Sequence, residues 1–176
     1  MNLNTNRLLL RPWRQEDADA LYKYASDPAV GPACGWVPHR NREESRRIIL
    51  TVLNGEHTFA LVLKETQEPV GCASLFRGAV CAEQDLELGY WLGRPLWGQG
   101  LMTEAARRLV KYGFSQLECP RIWCAHAVSN ARSRRIIEKL RFRQEFLREE
   151  VAPSIGERRL IYYYSRFREE ERRGEG

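Results

Sequence analysis

A strand that runs into a glycine-rich turn and then a long amphipathic helix constrains this chain more than any other feature. In Leu86-Glu87-Leu88-Gly89-Tyr90-Trp91-Leu92, alternation places Leu86, Leu88, Tyr90 and Leu92 on one face and Glu87 and Trp91 on the other. That reading makes Tyr90 a core residue. Gly93, Gly98 and Gly100 follow, and a helix is expected over about Met102 to Leu117, with Ala105, Leu109, Gly113 or Phe114, and Leu117 in its apolar stripe. Glycines at 98 and 100 tolerate positive φ and let the backbone approach a ligand. The amides of Gln99, Gly100, Leu101 and Met102 then lie at a helix N-terminus, where they suit an anion. A turn that merely needs glycine accounts for the same letters, and the Gly-x-Gly alone leaves both readings open. Two phosphate-loop patterns fail on spacing. No G-x-x-x-x-G-K-[ST] run exists, and a G-x-G-x-x-G fingerprint would need glycine where Thr103 stands.

The remaining chain reads as one α/β domain. A short strand at Leu8-Leu9-Leu10 ends at Pro12, and helices are expected over Gln15 to Ser26 and about Arg42 to Leu53. Between them, Ala29 to Arg40 holds two glycines and two prolines and reads as an irregular loop around Trp36. Phe59 to Leu63 and Val70 to Phe76 form a hairpin; Ile122 to Ala127 is a strand and Ala131 to Leu140 a helix. Strands over about Arg143 to Val151 and Arg158 to Ser165 pair across a loop with Pro153 and Gly156. The expected fold is a mixed, mostly antiparallel sheet of about seven strands flanked by about four helices. Residues 1–167 form the domain, and 168–176 read as a charged, frayed tail.

Composition narrows the function classes. Lysine and arginine number 28 against 23 acidic residues, a formal net charge of +5 with the signs interspersed. This favours an anionic ligand without requiring nucleic acid, and no recognition-helix pattern or aromatic stacking motif supports that class. No apolar run approaches the ~20 residues of a membrane span. Met1 to Asn6 lacks a signal-peptide apolar core. The five cysteines form an odd set without C-x-x-C, which fits a reducing, cytoplasmic setting. His39, His57 and His126 are scattered, so no metal site is expected.

The run ELGYWLGRPLWGQGLMTEA resembles the coenzyme A signature of GCN5-related N-acetyltransferases, the GNAT family, and is most similar to its Rim-type ribosomal-protein N-terminal acetyltransferase branch. Arg7-Leu8-Leu9-Leu10-Arg11-Pro12 is similar to that branch's opening strand. Ser129-Asn130-Ala131-Arg132-Ser133 with Glu138-Lys139-Leu140-Arg141-Phe142 is similar to its N-x-x-S…EKxGF segment. Two positions depart from the pattern. Pro95 stands where the family has Gln or Arg, with Arg94 beside it, and Arg141 replaces the usual glycine of EKxGF.

The resemblance implies a single GNAT-like domain whose fourth and fifth strands splay apart, and an acetyl-CoA-dependent enzyme without a metal. Pantetheine would pair with backbone near Trp91 and Leu92, and pyrophosphate would rest on Gln99, Gly100, Leu101 and Met102, with Trp97 and Gly98 completing the seat. Asn130 would bond the pantetheine arm, although Asn130 or Ser129 also suits the N-cap of the next helix. An amine attacks the thioester directly in such a site, so the protein must position reactants, stabilise an oxyanion and accept a proton. A backbone amide near Trp91 or Leu92 would donate to the oxyanion. Glu87 is the candidate base, through water, and its position equally suits a solvated carboxylate or a seat for a basic substrate. Ser133 matches the place where Rim-type relatives put a hydroxyl near the sulfur. Trp36 would pack on the acceptor or anchor its loop. Arg132, Arg134, Arg135 and Lys139 form a basic helix face, either solvated or drawn to coenzyme A phosphates. The expected acceptor is the α-amine of a peptide or protein N-terminus, with a small-molecule amine or a non-catalytic acyl-CoA-binding module as the alternatives.

Overall fold

The structure, a computed structural model, describes residues 1–152 and 154–169. Pro153 and all but the first two residues of the expected tail lie outside the described residues. Eight strands form one sheet in the order β1-β2-β3-β4-β5-β6-β8-β7. They are β1 Leu3–Asn4, β2 Leu8–Arg11, β3 Thr58–Leu63, β4 Pro69–Phe76, β5 Leu86–Leu92, β6 Arg121–Ala127, β7 Arg143–Ala152 and β8 Glu157–Phe167. The helices are α1 Ala18–Ala25, α2 Gly31–Cys34, α3 Arg42–Thr51, α4 Leu101–Ser115 and α5 Ala131–Lys139, with 3-10 turns at Gln15–Asp17 and Arg94–Leu96. Among the described residues, no helix is long and apolar enough to cross a membrane.

The α/β class and the mostly antiparallel sheet agree with the sequence reading, and two short elements add to its counts. Strand β1 has two residues, pairing Leu3 with Leu10 and Asn4 with Leu9, too few to show a period. Helix α2 is a four-residue turn inside the segment expected to be irregular, and Gly35 closes it at φ 87°.

The sheet is covered on both faces, which explains the unbroken Phe-Ala-Leu-Val run of β3. Phe59 and Leu61 join the cluster that includes α4, whereas Ala60 and Val62 join Leu21, Ala25 and Ile49 of α1 and α3. Each fully buried Phe, Leu, Ile or Val among them contributes about 1.5–3 kcal/mol. Helix α4 lies close to the sheet because Gly113 has no side chain. A Cβ there would sit 2.8 Å from Ile122 Cδ1 and 2.9 Å from Leu75 Cδ1. Helix α1 is tied to β2 by a buried ion pair, Arg11 to Asp17 at 2.6 Å, and the same carboxylate accepts from the Arg14 amide at 2.9 Å.

One junction in the sheet is incomplete. All neighbouring strands pair antiparallel except β5 and β6, which run parallel and meet only at Leu86–Ile122, Glu87–Trp123 and Leu88–Cys124. Beyond Leu88 the strands separate. Residues 89–92 keep β4 on one side, residues 125–127 keep β8, and the edges facing each other are unpaired. With β1 counted, this is the splay expected between the fourth and fifth strands.

Candidate active site

The backbone of β5 alternates in a way that decides which amides face the splay. The Gly93 amide donates to the Val70 carbonyl at 2.8 Å, which makes Cys72–Trp91 the next hydrogen-bonded pair and leaves Leu92 and Tyr90 directed away from β4. The Trp91 amide is therefore spent within the sheet. The Leu92 amide faces the gap and is the one able to meet a ligand. The Leu92 carbonyl accepts from Trp97 Nε1 at 2.8 Å, closing the 93–97 turn with an indole rather than leaving that oxygen for pantetheine.

One cleft, about 540 Å³, opens on the α4 side of this gap. Trp91, Leu92, Trp97, Gly98, Gly100, Leu101, Met102 and Asn130 line it. Gly98 and Gly100 have φ of 79° and 77°, and Gly100 is the left-handed N-cap of α4. The first intrahelical bond runs from the Glu104 amide to the Gly100 carbonyl at 3.0 Å, so the amides of Gly100 through Thr103 have no helical acceptor. Gln99, expected to present its amide here, is not among the residues lining the cleft. Its side chain donates to the Pro95 carbonyl at 3.2 Å, and its own carbonyl accepts from Arg7 Nη1 at 3.0 Å. Arg7 also binds Glu104 through its amide at 2.9 Å and Nε at 2.8 Å, so the start of β2 clamps the loop from outside.

Cations lie opposite these amides. Arg132, Arg135 and Lys139 line the cleft, with the Arg132 guanidinium 3.9 Å from the Trp97 ring centroid. Arg134 points elsewhere and pairs with Glu138 at 2.8 Å. Arg94, beside the departure at Pro95, reaches Asp27 at 2.7 Å and does not line the cleft. Helix N-terminal amides, two side-chain-free glycines and three cations fit a phosphate-bearing ligand.

A second cleft, about 760 Å³, opens on the other side of β5. Trp36, Glu87, Trp91, Asn130 and Ser133 line it, with Cys34, Ser74, Phe76, Glu150 and Tyr163. Gly78 makes room for Glu87, since a Cβ there would sit 1.7 Å from Glu87 Oε2. Burial pushes the Glu87 carboxyl up to about 7, nearby Glu150 adds to the shift, and Arg148 opposes it. Glu150 is itself held by Arg148 Nε at 2.8 Å and by the Tyr163 hydroxyl. Trp36 does what its anchoring role requires, packing edge-on against Trp91 at 6.0 Å between centroids, while also forming cleft wall.

Ala33, Cys34, Tyr90, Trp91, Asn130 and Ser133 border both clefts. Asn130 is the N-cap of α5, its Oδ1 accepting from the Ser133 amide at 3.1 Å, and its Nδ2 donates to the Ala33 carbonyl at 3.4 Å. The capping role weighed at the sequence level is thus present, with the amide still in both linings. Tyr90 is not simply core. Its hydroxyl lies 2.9 Å from Ser133 Oγ, at the junction. Alternation gave the side of the sheet correctly, but the missing β6 partner beyond Leu88 leaves that side open. Glu150 and Tyr163 carried no sequence signal, because only the pairing of β8 between β6 and β7 brings them here. Among the described residues, no group of three or more His, Cys, Asp or Glu side chains is placed to hold a metal.

Comparison with known proteins agrees with this geometry. Residues 7–143 match the acetyltransferase (GNAT) domain family. The chain is 32% identical to the uncharacterized N-acetyltransferase p20 of Bacillus licheniformis, over 96% of this chain and 97% of that one. The crystal structure of a GNAT-family acetyltransferase from Bacillus anthracis superposes with TM-score 0.85 at 26% identity, covering 96% of this chain and 99% of that one. A ribosomal-protein-S5-alanine acetyltransferase from Vibrio fischeri shares the fold, with TM-score 0.77 at 18% identity over 96% and 97% of the two chains.

Proposed function

The chain belongs to the GNAT family of N-acetyltransferases, whose enzymes use acetyl-CoA, and from that premise we propose that its acceptor is the α-amine of a peptide or protein N-terminus. The observation that carries the reading is the meeting of two clefts at the splay, one suited to phosphates and the other holding Glu87. The amides of Gly100 through Thr103, with Arg132, Arg135 and Lys139, hold the pyrophosphate end. The Leu92 amide donates to the oxygen that becomes negative as the amine nitrogen bonds to the thioester carbon. Glu87, through a water, takes the ammonium proton, the carbon–sulfur bond breaks, and the Ser133 hydroxyl meets the departing sulfur.

The acceptor choice rests on proton matching. An α-amine has a pKa near 7.7–8.0 against about 10.4 for lysine. A carboxyl brought to about 7 is close to the first and far from the second. The wide second cleft, walled by Trp36 and Phe76, admits an extended chain. Short peptides with free N-termini should be acetylated at least tenfold faster, by kcat/KM, than N-blocked lysine peptides, polyamines or aminoglycosides. Faster modification of any of the latter overturns the acceptor assignment and leaves acetyl transfer standing.

The cation assignment is separable. Arg135→Ala should raise KM for acetyl-CoA about fivefold, the loss of roughly 1 kcal/mol of charge-assisted bonding. Arg94→Ala should change it less than about twofold, since that guanidinium is committed to Asp27. The opposite ranking in steady-state kinetics would place the phosphates nearer Arg94.

A further inference from the structure

We propose that Tyr90 is a positioning residue that turns the Ser133 hydroxyl hydrogen into the junction of the two clefts, where it meets the sulfur of coenzyme A. The proposal rests on the reading above that places the sulfur beside Ser133.

The distance alone lets either hydroxyl donate, and the direction follows from the chemistry of the two groups and their neighbours. Tyr90 Oη lies 2.9 Å from Ser133 Oγ and 3.4 Å from the Ser133 carbonyl. That carbonyl already serves the α5 helix as acceptor for the amide four residues on. The short contact is the better bond, and a phenol is the stronger donor of the two hydroxyls. Tyr90 therefore donates to Ser133 Oγ. Serine has one hydrogen to give, and among the described residues no other protein group meets its hydroxyl. The Ser133 amide is committed to Asn130 Oδ1, which with helix α5 fixes the direction of the side chain. The free hydrogen then lies on the side away from Tyr90, between the clefts that both residues border.

Burial raises the Tyr90 phenol well above its usual range, so tyrosinate is costly and the residue remains a donor. The role is accordingly orientation rather than delivery of a proton. As the carbon–sulfur bond breaks, the electron pair stays on sulfur and the Ser133 hydrogen bonds to the resulting thiolate. Tyr90 keeps its own hydrogen throughout. Solvent protonates the thiolate after release.

The test reads the thiol directly and then turnover. Coenzyme A bound to wild-type protein is titrated by ultraviolet absorbance of the thiolate, beside Tyr90→Phe, Ser133→Ala and the double variant. The wild type should ionise the bound thiol about tenfold more readily than either single variant, and the double variant should match Ser133→Ala. With the best acceptor, Tyr90→Phe should lower kcat about 3- to 10-fold at unchanged KM for acetyl-CoA, and the double variant should be no slower than Ser133→Ala. Equal thiol ionisation in wild type and Tyr90→Phe, in variants whose melting shows them folded, overturns this inference alone. Additive losses in the double variant also overturn it. Failure of coenzyme A to bind the wild type would sink the parent reading as well.

Discussion

Gly100→Val should fold and yet lose the thermal stabilisation that acetyl-CoA gives the wild-type protein. A ligand that binds only the native state at a hundredfold excess over its Kd stabilises it by about 2.7 kcal/mol. For a domain of this size that is roughly 5–10 °C in Tm. The reason for glycine here is not packing against the protein, because a Cβ at 100 would meet nothing closer than Arg7 Nη2 at 3.7 Å. It is the φ of 77° at the N-cap of α4, which a β-branched residue resists at a cost of about 1–3 kcal/mol. Relief of that strain rotates the first amides of α4 away from one another, and the valine methyls stand where a phosphate would lie. A folded Gly100→Val protein with the wild-type shift would mean that the pyrophosphate sits elsewhere.

The sequence was most readable where one physical cause acts alone. Period-two alternation, glycine before a helix and the 3.6 period of α4 each report a local constraint, and they located the splayed strand and the left-handed glycines that open α4. It was less readable where two elements far apart in the chain decide the outcome. Tyr90 read as core because Leu88, on the same face, is core; the difference lies in β6, which leaves β5 after Cys124. Asn130 suited two settings in the sequence; the structure shows it capping α5, with its side chain also in the lining of both clefts. Arg94 stands beside the departure at Pro95, and adjacency in sequence could not show that Asp27 in the α1–α2 connection pairs with it.

Arg141 illustrates a residue whose replacement changed the energetics and left the shape. It adopts φ 60° where the family pattern has glycine. Its amide bonds the Glu138 carbonyl at 3.0 Å, and the Phe142 amide bonds Ile137 at 3.3 Å, the two bonds of a Schellman ending. The turn is made without the glycine, with an arginine held in left-handed geometry. Phe142 and Leu140, both buried, anchor it on either side.

Glu87→Gln should lower kcat/KM at neutral pH by about 10²–10⁴, the usual cost of removing a general base, and leave acetyl-CoA binding close to wild type. The pH profile distinguishes this from loss of packing. The base works as the carboxylate, so activity rises with pH through the Glu87 pKa of about 7 and falls below it. The α-amine must also be neutral, which adds a second acid limb near 7.7–8.0. Well below 7, log kcat/KM for the wild type should therefore climb with a slope near 2 against pH. In Glu87→Gln the first limb is gone and the slope should be near 1. Burial is the larger cause of the raised pKa and Glu150 the second, with Arg148 opposing. Glu150→Gln should accordingly move the first limb to lower pH while its partner Tyr163 keeps a hydrogen-bond acceptor. A Glu87→Gln protein that retains both the wild-type rate and the slope near 2 would make Glu87 a seat for the acceptor's charge and not the group that takes its proton.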